Sequence, residues 1–262
     1  MKDLSEKVVL TTGASSGIGE ALAVELARMK CRLMLVARRE EVLRALADRI
    51  RADAADVEVF VADVGKVDQC AAAVDRTVEK WGRVDVAILS AGLGIYRRVH
   101  EFDAAEAGDM IHTNVNGIIY GVGALLPVMI KQRSGMIVGL SSLAAHFVSP
   151  VSSAYAASKA AVSTFLEGIR RGVGKHGIHV LTVEPGYIRT AMTAKNKHLP
   201  FLIEADDAAR RIVRGIRREK QVLRFPWIMM MSIRLSALMP QNFMRWVVQR
   251  KAGRIVMRED KS

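Results

Sequence analysis

Short, nearly continuous apolar runs alternate along this chain with longer segments whose apolar residues recur at helical spacing, the rhythm of strands and helices wound into a parallel sheet. Lys7–Thr11 reads as a first strand. Arg32–Ala37 reads as a second, apolar almost throughout because a parallel strand is covered on both faces. Val57–Val61, Val84–Leu89, Gly135–Leu140, Ile178–Val183 and Gln221–Phe225 complete seven strands. Helices are predicted over Gly17–Met29, Glu40–Arg51 and Ser153–His176, with others filling the remaining gaps. Right-handed crossovers then give a doubly wound, seven-stranded parallel sheet flanked by helices, an α/β fold in a single domain. No 20–50-residue repeat is present. With 262 residues, half of them apolar, the chain can bury a core of that size.

Charge divides the chain in two. The net charge is +12, but residues 210–262 alone hold 14 Lys/Arg against 3 Asp/Glu, and the preceding part is balanced to within one charge. We therefore separate a body, residues 1–225, from a hydrophobic, basic C-terminal helical extension, 226–262. Trp227–Met239 is apolar on nearly all sides. Gln241–Lys251 segregates, with Gln241, Arg245 and Gln249 opposite Phe243, Trp246 and Val247. No uncharged stretch there reaches the ~20 residues that span a bilayer. The extension suits packing on a second subunit or over the chain's own pocket, or peripheral contact with an anionic membrane surface. It carries no recognisable nucleic-acid module, so nucleic acid is not expected as a partner. The N-terminus lacks a secretory apolar run. Cys31 and Cys70 have no framework spacing and read as buried thiols of a reducing cytoplasm. His176 and His179 lack companion ligands, so no metal is expected.

Thr12-Gly13-Ala14-Ser15-Ser16-Gly17-Ile18-Gly19 lies between the first strand and its helix. Glycines there allow a tight turn and close approach to a pyrophosphate, which the free N–H groups of the helix start then hold. This placement predicts a dinucleotide, with Gly13, Ser15, Ser16, Gly17, Ile18 and Gly19 touching it. The second strand ends in Arg38-Arg39 instead of the acid that binds the ribose hydroxyl of NAD. Two guanidiniums suit a 2′-phosphate, so NADP(H) is the expected cofactor.

Tyr155-Ala156-Ala157-Ser158-Lys159 sets a phenol and an ammonium on one helix face. A free tyrosine, with a pKa near ~10, is a poor base at neutral pH. A cation that lowered it by ~3 units would supply ~4 kcal/mol and let the phenol exchange a proton with a substrate oxygen. Ser142 follows a strand end, where a hydroxyl faces the ligand crevice.

On these residues the chain resembles the short-chain dehydrogenase/reductases from Lys7 to about Phe225, a family with a Rossmann-type sheet. Thr12, Gly13, Gly17 and Gly19 match its glycine motif, and Asp63, followed by Val64, matches its adenine-side aspartate. Its Asn-Asn-Ala-Gly motif is altered to Leu89-Ser90-Ala91-Gly92, which removes two amides that steady the central strand; Ala91 and Gly92 remain as cofactor positions. The resemblance implies a catalytic set of Asn114, Ser142, Tyr155 and Lys159, with Asn114 holding a relay water. Tyr155 and Lys159 would also meet the cofactor, Lys159 at the nicotinamide ribose. Pro185, Gly186, Ile188 and Thr190 would meet the nicotinamide end.

The expected function is transfer of a hydride between NADP(H) and a carbonyl or secondary alcohol, with Tyr155 as general acid/base. The substrate would be small and hydrophobic, met by Leu93–Tyr96, His146–Ser149 and Met192–Leu202; His146 itself reads as a satisfied loop histidine. A homodimer or homotetramer in the cytoplasm is implied, with peripheral contact at a membrane's cytoplasmic face as the extension's second option. A sugar-nucleotide epimerase or dehydratase needs a larger C-terminal domain. A catalytically idle NADP(H)-binding scaffold is the non-enzyme alternative.

Overall fold

The computed structural model describes residues 1, 3–194, 199–237 and 239. Strands β1 (Val8–Thr12), β2 (Arg32–Ala37), β3 (Asp56–Val61), β4 (Val86–Leu89), β5 (Gly135–Leu140) and β6 (Ile178–Pro185) alternate with helices α1 (Gly17–Arg28), α2 (Glu40–Ile50), α3 (Val67–Trp81), α4 (Ala104–Ile111), α5 (Gly117–Gln132) and α6 (Ser153–Val173). Two short strands, β7 (Ile188–Arg189) and β8 (Ile203–Glu204), pair outside the main sheet. Then come α7 (Ala205–Arg217), β9 (Val222–Phe225) and α8 (Trp227–Ala237).

The seven-stranded sheet runs β3-β2-β1-β4-β5-β6-β9, parallel throughout. Strand alternation sorts the core into two layers. Val9, Leu33, Leu35, Ile88 and Val138 face Leu22, Leu26, Leu43 and Ile212, from α1, α2 and α7. Leu10, Met34, Val36, Ala87 and Ile137 face Val74, Ile118, Leu125 and Leu166, from α3, α5 and α6. Each fully buried large side chain contributes ~1.5–3 kcal/mol, which is why the apolar runs fix the sheet. The strand order reverses between β1 and β4, so a crevice opens at their carboxyl ends. At the opposite end the buried Asp85 accepts from the Val8 N–H at 3.0 Å and pairs with Arg83 at 2.8 Å. That tie clamps β1 to β4 and leaves the carboxyl edge free for chemistry.

Element ends shift by a few residues from expectation. The predicted helix to His176 stops at Val173, followed by a tight turn Gly174–His176 and Gly177 at φ +70°. Between α4 and α5 the helix widens into a π-turn over His112–Asn116 that nothing in the residue pattern announces. Residues 104–132 form one helix, long and apolar enough to cross a membrane by composition. Met110, Ile118, Val122, Leu125 and Met129 put one face of it in the core, while Ile111, Ile119 and Ile130 are exposed on the other.

Of the C-terminal extension, α8 is described and Gln241–Lys251 lies outside the described residues. Helix α8 packs Ile233 inward and sets Met229 against Gly186, but Trp227 is 70 % exposed, Met231 53 % and Leu235 59 %. Cys31 and Cys70 are buried thiols; burial first, then nearby carboxylates, push them up to about 12 and about 11.

Candidate active site

The glycine turn leaves β1 at Thr12 and enters α1 with Gly13 at φ +66° and Gly17 at φ +60°. A Cβ on Gly13 would lie 2.7 Å from the Ala91 Cα, so only glycine lets the two turns touch. A Cβ on Gly17 would reach the Thr190 methyl at 3.0 Å, which brings the turn after β6 next to the start of α1. Ser16, the N-cap of α1, makes no side-chain capping bond, so the first amides of the helix are available to an anion. These glycines and the uncapped helix start form a cradle that fits a dinucleotide pyrophosphate.

The two arginines separate. Arg39 donates from Nη2 to the Ser15 carbonyl at 3.0 Å and to its Oγ at 2.9 Å, bracing the glycine turn. Arg38 is exposed at the same edge. Asp63 Oδ1 accepts from the Gly65 N–H at 2.9 Å, and the Asp63 N–H donates to Gln69 Oε1 at 2.7 Å, a partner the sequence did not single out. Val64 packs against Gly117, where a Cβ would sit 2.8 Å from its methyl. Ser90 replaces part of what the missing asparagines would do. Its hydroxyl donates to the Thr12 carbonyl, while the Ser90 and Ala91 N–H groups donate to Thr12 Oγ1 at 3.1 and 3.3 Å.

The four expected catalytic positions converge at the carboxyl edge beside this turn. Asn114, fully buried in the π-turn, accepts the Leu93 N–H at 2.7 Å and donates to the Leu93 carbonyl at 2.9 Å and Ser158 Oγ at 3.0 Å. Its amide protons are both used, and Oδ1 keeps a second acceptor site on the Gly92 side, 3.1 Å from where a Cβ there would stand. Ser142 donates to the Pro185 carbonyl at 3.3 Å, accepts from the Ala144 N–H at 3.1 Å and hydrogen-bonds Tyr155. Lys159 Nζ donates to the Leu140 carbonyl at 3.0 Å and lies 5.7 Å from the centre of the Tyr155 ring.

Burial lowers the Lys159 pKa to about 8. Burial also raises that of Tyr155, with the Ser142 hydrogen bond pulling the other way. This is opposite to the direction expected from a cation four residues along the helix: desolvation is the larger effect, and it favours the protonated phenol. The ring of Tyr96 lies 5.5 Å from that of Tyr155. Met192 packs against Gly94, where a Cβ would be 2.4 Å from its sulfur, so Leu93–Tyr96 and the start of Met192–Leu202 wall the same crevice; residues 195–198 of the latter lie outside the described set. His146 contacts Glu184 at 2.8 Å, as a satisfied loop histidine should. Among the described residues no cluster of His, Cys, Asp and Glu could hold a metal ion.

A Rossmann-type sheet with these side chains at its carboxyl edge defines the class as a nucleotide-dependent oxidoreductase. The short chain dehydrogenase model matches residues 7–199, and the chain belongs to that family. It is 34 % identical over 241 residues to an uncharacterized oxidoreductase of Myxococcus xanthus, covering 92 % of this chain and 95 % of that one. It is 37 % identical over 195 residues to an uncharacterized oxidoreductase of Staphylococcus saprophyticus, covering 74 % and 78 %. Among solved structures it resembles levodione reductase, with a TM-score of 0.78 at 28 % identity over 85 % of this chain and 96 % of that one. It also resembles a short-chain dehydrogenase/reductase of Burkholderia phymatum in complex with NAD, with a TM-score of 0.81 at 26 % identity over 90 % and 94 %. The fold is one that holds a nicotinamide cofactor.

Proposed function

We propose that the chain is an NADP(H)-dependent oxidoreductase that interconverts a carbonyl and a secondary alcohol on a small, hydrophobic substrate. The observation that carries this is the meeting of Tyr155, Ser142 and Lys159 beside the Gly13–Gly19 turn. Bound NADPH would supply the hydride to the carbonyl carbon. Tyr155, kept protonated by burial, donates its phenolic proton to the carbonyl oxygen as charge builds there. Ser142 turns its hydroxyl from the Pro185 carbonyl, a long bond at 3.3 Å, to the same oxygen. Lys159 uses one of its donors on Leu140 and has two more for ribose hydroxyls on the Gly92 side. Asn114 fixes Leu93 and Ser158 around them.

Gly13, Ser15, Ser16, Gly17, Ile18 and Gly19 would hold the pyrophosphate. Arg38, with the Ser15 hydroxyl that Arg39 orients, would hold the 2′-phosphate, and Asp63 and Val64 the adenine. Ala91, Gly92, Pro185, Gly186, Ile188 and Thr190 would frame the nicotinamide. Tyr96, Tyr187 and Met192 favour a flat, apolar substrate. A second copy would pair along α6, whose exposed Ala157, Ala161, Thr164 and Gly168 allow close helix contact. We place the protein in the cytoplasm, with the exposed side of α8 (Trp227, Met231 and Leu235) as a surface for a second subunit or, as the second option, for anionic lipid.

NADPH oxidation at neutral pH against aliphatic, aromatic and steroid-like carbonyls, with NADH and Tyr155→Phe run beside it, tests the reading. Turnover with NADPH that is lost in the variant is expected. Tight NADPH binding without turnover of any carbonyl would favour the idle scaffold, and a preference for NADH would refute the cofactor assignment.

A further inference from the structure

Glu184 is 2 % exposed, the residue before Pro185 at the end of β6, and its carboxylate is surrounded by donors. Oε2 takes His146 Nε2 at 2.8 Å and Arg224 Nε at 2.5 Å, and Oε1 takes the Ser163 hydroxyl at 3.0 Å. A carboxylate only accepts, so Nε2 of His146 carries the proton in this contact. One residue on, the Pro185 carbonyl accepts from Ser142. The backbone from Ser142 to His146 is a single tight turn, Leu143–Ala145, with the His146 N–H bonded to the Leu143 carbonyl at 3.0 Å. The two side-chain bonds therefore close a ring: Ser142 to His146 along the chain, His146 to Glu184, Glu184 to Pro185 along the chain, and Pro185 back to Ser142. The backbone of Ser142 is thereby tied to Glu184 through the tight turn and His146, a tie that persists when the Ser142 hydroxyl rotates away from the Pro185 carbonyl.

We infer that the His146–Glu184 pair is a positioning device that fixes Ser142 against the reacting oxygen. This rests on the reaction proposed above. Arg224 and Ser163 hold Glu184 from β9 and α6, so the carboxylate is a fixed anchor and His146 is the strut that joins the serine turn to it. The pair acts through Ser142 and touches neither substrate nor cofactor. Catalytic groups tolerate little misplacement, and a loosened turn spends part of its time with Ser142 out of line.

His146 is the residue to change, because its side chain is partly exposed and its loss leaves the Arg224–Glu184 pair intact. In full-length protein, His146→Ala should lower kcat for carbonyl reduction about tenfold, ~1.4 kcal/mol on the barrier, with KM for NADPH unchanged. His146→Gln, which returns an N–H donor at similar reach, should restore most of that loss. A His146→Ala enzyme with wild-type kcat, or a His146→Gln enzyme no faster than His146→Ala, overturns the inference. A wild-type enzyme that reduces no carbonyl is the failure of the proposed function instead. The ring is then read without turnover, by the ultraviolet titration of Tyr155, taken as the difference from Tyr155→Phe. Ser142, Lys159 and Tyr96 are the groups facing that phenol. Loss of the Ser142 contact in His146→Ala moves its deprotonation to higher pH, and an unmoved titration overturns the inference.

Discussion

Lys159 carries a cost of folding that can be measured. Its ammonium is buried, and burial lowers its pKa from the ordinary 10.5 to about 8. At ~1.4 kcal/mol per pH unit, the charged form destabilises the folded chain by about 3 kcal/mol at neutral pH. Replacing the residue by Met removes the charge and keeps the stem. The Leu140 carbonyl loses its donor, at a cost of about 1 kcal/mol. Lys159→Met should therefore be about 2 kcal/mol more stable than wild type at pH 7, raising Tm by about 5 °C, while turnover is lost. The sign with pH is fixed. Below about pH 8 the lysine is charged folded and unfolded, and the cost is present in full. Between about 8 and 10.5 the folded state sheds its proton first, so wild-type stability rises with pH and the variant's advantage shrinks. Urea unfolding followed by far-ultraviolet circular dichroism, without added nucleotide, across this window measures both. A variant less stable at pH 7, or a gap that does not change with pH, would show that the charge is not the cost.

Arg38→Ala should weaken NADPH binding by roughly 10–100-fold, the worth of one charge-assisted contact at about 1.5–3 kcal/mol, and leave NADH binding nearly unchanged; titration of protein fluorescence with each nucleotide reads the ratio. Ser90→Ala removes the hydroxyl that ties the end of β4 to Thr12, and should cost about 1 kcal/mol in urea unfolding without changing KM for NADPH.

The sheet was legible because its strands are apolar on both sides: Arg32–Ala37 and Gly135–Leu140 were read with the bounds they have. Ends were less legible. β6 runs on to Pro185 because proline, lacking an N–H, can still sit beside Phe225 at the strand's last position. The site residues were legible as short motifs, and the structure brings Asn114, Ser142, Tyr155 and Lys159 together. What the motifs could not show was how each group is spent. Arg39 serves Ser15, 24 residues away, and Glu184 meets His146 across 38 residues, pairings that no local pattern encodes. The direction of the Tyr155 shift also depended on burial, which spacing along a helix does not report.

The π-turn at His112–Asn116 has a consequence for how this chain tolerates length change. A widened turn is one residue more than the regular helix needs, so residues before and after it stand rotated by about 100° from where an unbroken helix would place them. Asp103, which caps the start of this helix, and Glu106, which holds Arg97, lie on one side of that offset. The core residues Ile118, Val122 and Leu125 lie on the other. Deleting one residue between 112 and 116 would give a smoother helix and a broken gear: its two halves could no longer mesh with their neighbours at the same time. The surplus residue is thus a fixed phase difference between the rim of the crevice and the core, and Asn114 sits at the point where the phase changes.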